Sequence, residues 1–267
     1  YYNYHLDVDY NTIANNHFGI RINQNNSYIN IKNNDISGNN SYGIYIDRDT
    51  HGSIIEDNNI SNNANSGIHM NENNDFDIVS NVISNNVYSG IYGNEYNSVN
   101  IIENLISNNS NFGFYFYYAK AADSTGYSTV RDNTIDGHSD YGIYWYNNGG
   151  HYINALNNSI TNSNNGLYCG NCYYDDDIIN YNNSWNNNSN YGGSLPTGTG
   201  NFTNVNLNGT VCDIYQNISE NPQYKDLENE DYSLDASSPN IDAGDPDSPL
   251  DDDGSIADVG VYNFEPL

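Results

Sequence analysis

Seven aspartates crowd into DAGDPDSPLDDDGSIAD, residues 242–258, and five of them, Asp245, Asp247, Asp251, Asp253 and Asp258, could share one ion. Calcium takes about six to eight hard oxygens from carboxylates and carbonyls of a turning backbone. Gly254 and two prolines, Pro246 and Pro249, supply turns here. The register is not that of an EF-hand, so this is a candidate calcium site of irregular form. The simpler reading is a solvated acidic loop. Other metals find little footing. The six histidines, His5, His17, His51, His69, His138 and His151, are dispersed, without the close spacing of a zinc or copper site.

Cys169-Gly170-Asn171-Cys172 is a C-x-x-C without the βαβ context of a redox motif. A disulfide is the favoured outcome. Either Cys169 pairs with Cys172 and leaves Cys212 free, or Cys172 pairs with Cys212. Both outcomes suit an oxidising compartment. N-x-S/T sequons begin at Asn25, Asn39, Asn59, Asn108, Asn157, Asn182, Asn187, Asn201, Asn208 and Asn217. On turns or outward faces these are candidate glycosylation sites.

The elements that position these residues must be built from little apolar material. Apolar residues are 36% of the 267, yet aromatics are 13%, and 27 residues are Tyr. Disordered chains are poor in aromatics, so simple disorder does not fit. Six Lys and Arg face 34 Asp and Glu, a formal charge of −28. Such a surface repels nucleic acid and anionic lipid and attracts cations. No apolar run is long enough to span a bilayer.

A repeat resolves the shortage. An Asn stands two residues before an Ile at Asn11, Asn34, Asn58, Asn81, Asn104, Asn133 and Asn158, with Asn183/Trp185 as a variant. The spacing runs from 23 to 29 residues, and a Gly and a large apolar residue follow each of the first seven, from Gly19-Ile20 to Gly166-Leu167. Period-two alternation precedes the Asn, as at Ile29/Ile31, and follows the Gly, as at Ile44/Ile46. Three short strands per repeat make one coil of a parallel β-helix. Stacked about 4.8 Å apart, coils bury one another's apolar faces and align equivalent residues into columns. The Asn anchors serve as turn residues tolerant of the left-handed conformation and as an amide ladder. Cys169 falls at an inward position. The segment from Tyr118 to Thr129 lengthens one coil and should loop out between strands.

The predicted organisation is one solenoid over residues 1–190, of about eight coils, and an irregular, cap-like region over 191–267. The pattern is already running at residue 1. The sequence therefore reads as part of something longer, with coils continuing or meeting another subunit.

The unit N-x-I-x-x-N-x-x-x-G-I resembles the right-handed parallel β-helix repeat of the pectate-lyase-like superfamily. The segments Asn221-Pro222, Asp231–Leu234, 238–246, 253–255 and 258–260 look like the closing region of secreted bacterial and archaeal β-helix surface proteins. The resemblance implies an all-β right-handed solenoid and an extracellular address. It implies no single activity, because lyases, hydrolases, epimerases and adhesins share the fold. Lyases of this kind pair acidic calcium ligands with an Arg or Lys, and hydrolases cluster carboxylates. Here Arg21, Lys32, Arg48, Lys120 and Arg131 share no column, and no compact carboxylate set is legible.

One outward column is legible. It reads Arg21, Tyr45, His69, Tyr92, Tyr115, Tyr144 and Tyr168, with Tyr42 and Tyr141 beside it. β-propensity alone would favour some of these rings. Five in one exposed column also read as a contact surface, whose ring faces stack on sugars or bury against another subunit. The sequence therefore favours an extracellular structural or adhesive surface protein, a fibre or layer subunit that binds glycan or itself. The alternative is a carbohydrate-active enzyme. A groove with clustered acids and a base would mark the enzyme; an unbroken regular face would mark the structural protein.

Overall fold

Every repeat contributes one strand to each of three parallel sheets. The computed structural model describes residues 3–24, 26–48, 50–72, 75–94, 98–117, 127–146, 152–172 and 177–264. Sheet 1 runs from Asn3–Asp9 to Ile178–Asn180, sheet 2 from Thr12–Ala14 to Asn183–Trp185, and sheet 3 from Ile20–Ile22 to Ser189–Gly193, with eight strands in each. This is the expected all-β parallel β-helix. Residues 118–126, most of the expected looped-out insertion, lie outside the described residues. Among the described residues the one helix is the short 3-10 turn Leu227–Asn229, and no helix is long and apolar enough to cross a membrane.

The core is a set of columns. Ile36, Ile60, Ile83, Ile106, Ile135 and Ile160 stack through sheet 2, all fully buried. Each coil roofs its neighbour, so a few inward side chains per coil suffice. The repeated Gly is required by close approach. A Cβ on Gly90 would lie 2.5 Å from Ile106 Cγ2 and 2.7 Å from the Gly113 carbonyl oxygen.

Two amide ladders seal the corners of sheet 2. In the first, Asn34 donates its backbone N–H and its Nδ2 to Asn58 Oδ1, at 2.9 and 3.0 Å. The same pattern passes through Asn81, Asn104, Asn133 and Asn158 to Asn182. A second ladder runs through Asn39, Asn63, Asn86 and Asn109. The ladder asparagines are not themselves left-handed, contrary to expectation. The residue before each one is: φ is 54° at Asp57, 55° at Glu103 and 57° at Asp132. The division is physical. The ladder Asn needs its amide turned inward to bond three neighbours, and the preceding residue absorbs the turn.

The C-terminal region does more than cap. Asn217 takes the next rung after Asn182 and donates its N–H to Asp213 Oδ1, so the ladder ends on a carboxylate. The chain then turns back along the outer face of sheet 2. Tyr232 donates its hydroxyl to Asp136 at 3.0 Å, Asn240 Nδ2 donates to Ser159 Oγ at 3.1 Å, and the Val261 N–H donates to Thr134 Oγ1 at 3.1 Å. Thr134, Asp136, Ser159 and Thr161 are buried as a result.

Candidate functional site: an aromatic strip and an acidic cavity

Sheet 3 keeps its outer face clear of the C-terminal segment's contacts just described, and there the sequence places its rings. Arg21 pairs with Tyr45, Tyr45 with His69, His69 with Tyr92, Tyr92 with Tyr115, Tyr115 with Tyr144, and Tyr144 with Tyr168, without a register slip. Successive ring centroids from Tyr45 to Tyr144 lie 5.3, 5.0, 5.0 and 4.8 Å apart with planes within 9° of parallel. Tyr144 and Tyr168 follow at 5.9 Å and 11°. A second file stands beside the first: Phe18 stacks on Tyr42 and Phe112 on Tyr141, and Tyr88 lies between these pairs at 5.8 Å from Phe112. The Arg21 guanidinium closes one end, 5.7 Å from the Tyr45 ring centre. At the other end the strand partner of Tyr168 is Gly192, so the file stops.

This geometry corrects one expectation. The ring faces of the strip are turned on one another, and the rings offer solvent their edges instead. Stacking also sets the electrostatics. Burial between its neighbours pushes His69 down to about 4, so its imidazole is neutral at pH 7. Burial, then the neighbouring phenols, pushes Tyr92 and Tyr115 up and Tyr144 to about 12. The strip is an uncharged, hydroxyl-bearing surface on a strongly anionic molecule.

A second feature lies where the returning C-terminal segment meets the turns between sheets 1 and 2. A cavity of about 250 Å³ is lined by Glu103, Arg131, Asp132, Ser248, Asp251 and Asp258, among others. Glu103 and Asp132 occupy the left-handed turn column. Arg131 pairs with Asp132. Burial raises Asp132 despite that partner and a hydrogen bond from Asn157. Burial, then the charge of Asp258, pushes Asp251 up to about 7. The sequence hides this grouping. Glu103 and Asp132 are aligned by the repeat, but nothing repetitive says that Asp251 and Asp258 come back to meet them.

The five aspartates of the calcium expectation do not converge. Asp245 accepts from the Asp247 N–H and Asp253 from the Ser255 N–H, each closing its own turn. Asp251 and Asp258 are drawn together, Asp251 Oδ2 accepting from the Asp258 N–H at 3.0 Å, and the charge of Asp253 reaches both. Among the described residues, no three of these carboxylates bring their oxygens within 4.8 Å of one another. Among the described residues, the one cluster of three metal-ligand side chains is Cys169, Cys172 and Asp177. There the two sulfurs bond each other, and Cys212 is left free and buried.

A family model described as a right-handed beta helix region matches residues 1–126. Over those residues the chain is similar to that family. Among solved structures, the crystal structure of pectate lyase Pel9A is similar, with a TM-score of 0.45 and 12% identity, over 93% of this chain and 73% of that one. No curated protein matches.

The β-helix also sorts the sequons. Asn39, Asn157, Asn182 and Asn217 are buried, and Asn187 has its Nδ2 committed to four acceptors. A glycan on any of these would break a ladder or displace the C-terminal segment, which corrects the expectation there. Asn59, Asn108, Asn201 and Asn208 stand exposed. Asn25 lies outside the described residues.

Proposed function

We propose that this chain is an extracellular adhesive surface protein that holds a glycan along the outer face of sheet 3. The observation that carries the reading is the uninterrupted file of stacked rings from Tyr45 to Tyr168, left half-exposed on the face that the C-terminal segment does not reach. Stacking fixes each ring without a partner, so little side-chain entropy remains to be lost on binding. Self-association through the same face is opposed by charge, because a second copy brings another −28. The test replaces Tyr92, Tyr115 and Tyr144 together by Ser. The β-helix keeps its inward columns and folds. Retention on immobilised polysaccharide is lost if the face is the contact surface, and is unchanged if the file is only a structural ladder.

A second reading, a carbohydrate-active enzyme, draws on the cavity that gathers Glu103, Asp132, Asp251, Asp258 and Arg131. Assay on a polysaccharide panel decides it. Turnover that disappears in Asp251→Asn while glycan retention persists would transfer the function from the strip to the cavity.

A further inference from the structure

We infer that the strip takes a linear, uncharged polysaccharide, laid parallel to the helix axis and bound by ring edges and hydroxyls rather than by ring faces. This inference rests on the reading of the strip as a glycan contact surface, and adds the class and pose of the ligand.

The pose follows from the stacking. A sugar that stacks on an aromatic needs an open ring face. From Tyr45 to Tyr144 every interior face is closed by the next ring at 4.8–5.3 Å. A ligand must therefore run across the file and touch each ring at its rim. The Tyr rims end in hydroxyls; that of Tyr144 packs against Gly170 of the next coil, and the Tyr92 and Tyr115 side chains are half-buried. A phenol hydroxyl can both donate to and accept from a ligand hydroxyl.

The length follows from the register. Seven positions from Arg21 to Tyr168 align strand by strand. At about 4.8 Å per strand the file is straight for roughly 30 Å. Gly192 ends it with no side chain. A compact or branched ligand would meet only a part of such a surface; an extended chain meets all of it. The second file, with Tyr42, Tyr88 and Tyr141, widens the seat without turning it.

The charge class follows from what surrounds the file. The molecule carries −28 overall, and Arg21, at one end, is the single cation of the column. An anionic polymer is repelled along the rest of the length, and a neutral one is not. Hydroxyl groups are then the ligand chemistry that complements a row of phenols.

The experiment uses the full chain and three probes: trimers and hexamers of neutral β-1,4-glucan, the same lengths of neutral mannan, and polygalacturonate. Calorimetry and affinity electrophoresis read the binding. At least one neutral hexamer should bind at least tenfold more tightly than its trimer, with little dependence on salt, and polygalacturonate should not compete. Tyr115→Phe and Tyr144→Phe keep the stack and remove the hydroxyls. Each should weaken the hexamer roughly three- to tenfold, the worth of one net hydrogen bond. The inference is overturned if polygalacturonate binds as well as a neutral chain, if length has no effect, or if both Phe variants bind normally. It is overturned together with the underlying reading if no glycan is retained. The same holds if sedimentation shows a dimer that the Tyr92/Tyr115/Tyr144 triple Ser variant abolishes, which would give the face to a second copy.

Discussion

His138 stands in the second amide ladder between Asn109 of the preceding coil and Ser163 of the next, with Nδ1 3.0 Å from the Asn109 carbonyl oxygen and Nε2 3.2 Å from that of Ile106. Asn63 finds an oxygen in Asn86, and Asn86 finds one in Asn109. An imidazole has no oxygen to offer Asn109, and only one of its nitrogens donates when neutral. Burial holds the His138 pKa down, with the two carbonyls and Asp136 offsetting part of the effect. The unfolded chain therefore binds a proton near pH 6.5 that the folded chain refuses, and stability falls as the pH drops below about 6.5. His138→Asn restores the rung. Calorimetry should show a gain of about 1 kcal/mol at pH 8 and a larger gain at pH 5. A variant no more stable than the parent at either pH would show that the ladder tolerates the imidazole without cost.

A rung in the middle of the first ladder is worth more than one at its end. Asn104 donates to Asn133, Ile78 and Ile102, and accepts both donors of Asn81, all while fully buried. Asn104→Ala strands several buried polar groups and should cost on the order of 3 kcal/mol or more in urea unfolding. In this chain Asn11 is exposed and donates to Asn34 Oδ1. Asn11→Ala should cost about 1 kcal/mol or less. Equal losses would mean that the ladder's position in the stack does not matter.

The stacked phenols should be visible in alkali. Tyr144 is pushed up to about 12 and Tyr115 is raised as well, burial being the main cause. Ordinary tyrosines titrate near pH 10. The folded chain then resists an ionisation that the unfolded chain accepts. Stability contributed by these neutral rings is complete below about pH 10 and is lost as the pH rises above it. Tyrosinate absorbance should rise in two phases, and Tyr115→Phe with Tyr144→Phe should shrink the later one. A single phase near pH 10 would contradict the packing of the strip.

The docking of the C-terminal segment should respond to pH in the same sense, but in a lower window. Asp251 is pushed up to about 7 and Asp258 is raised, burial leading in both. The folded chain prefers these carboxyls protonated. Their stabilisation is complete below about pH 4 and is lost as the pH rises through about 7. Hydrogen exchange across residues 240–264 should be slower at pH 5 than at pH 8, and Asp251→Asn should flatten the difference. Millimolar calcium is the matched control. A melting temperature raised by calcium and lowered by chelator would support a metal centre among these aspartates, and no response would count against it.

The sequence by itself determined the β-helix, the columns of Ile, Gly and Asn, and the register of Tyr45, Tyr92, Tyr115, Tyr144 and Tyr168. In a solenoid each residue's neighbours above and below are its equivalents in adjacent repeats, so aligning the repeats is already a contact map. The tertiary structure alone decided which way the rings face, because that depends on how Tyr115 leans on Tyr92 and Tyr144 and not on their order in the chain. It also decided that the C-terminal segment turns back over Thr134 and Ser159 and brings Asp251 and Asp258 to the turns of Glu103 and Asp132. No period marks that return, which is held by single hydrogen bonds such as Tyr232 to Asp136, 96 residues apart, and Val261 to Thr134, 127 apart. Burial was equally hidden in the sequons. Asn182-Asn183-Ser184 and Asn59-Ile60-Ser61 read alike as tripeptides, but the first amide is a rung of the ladder and the second faces water.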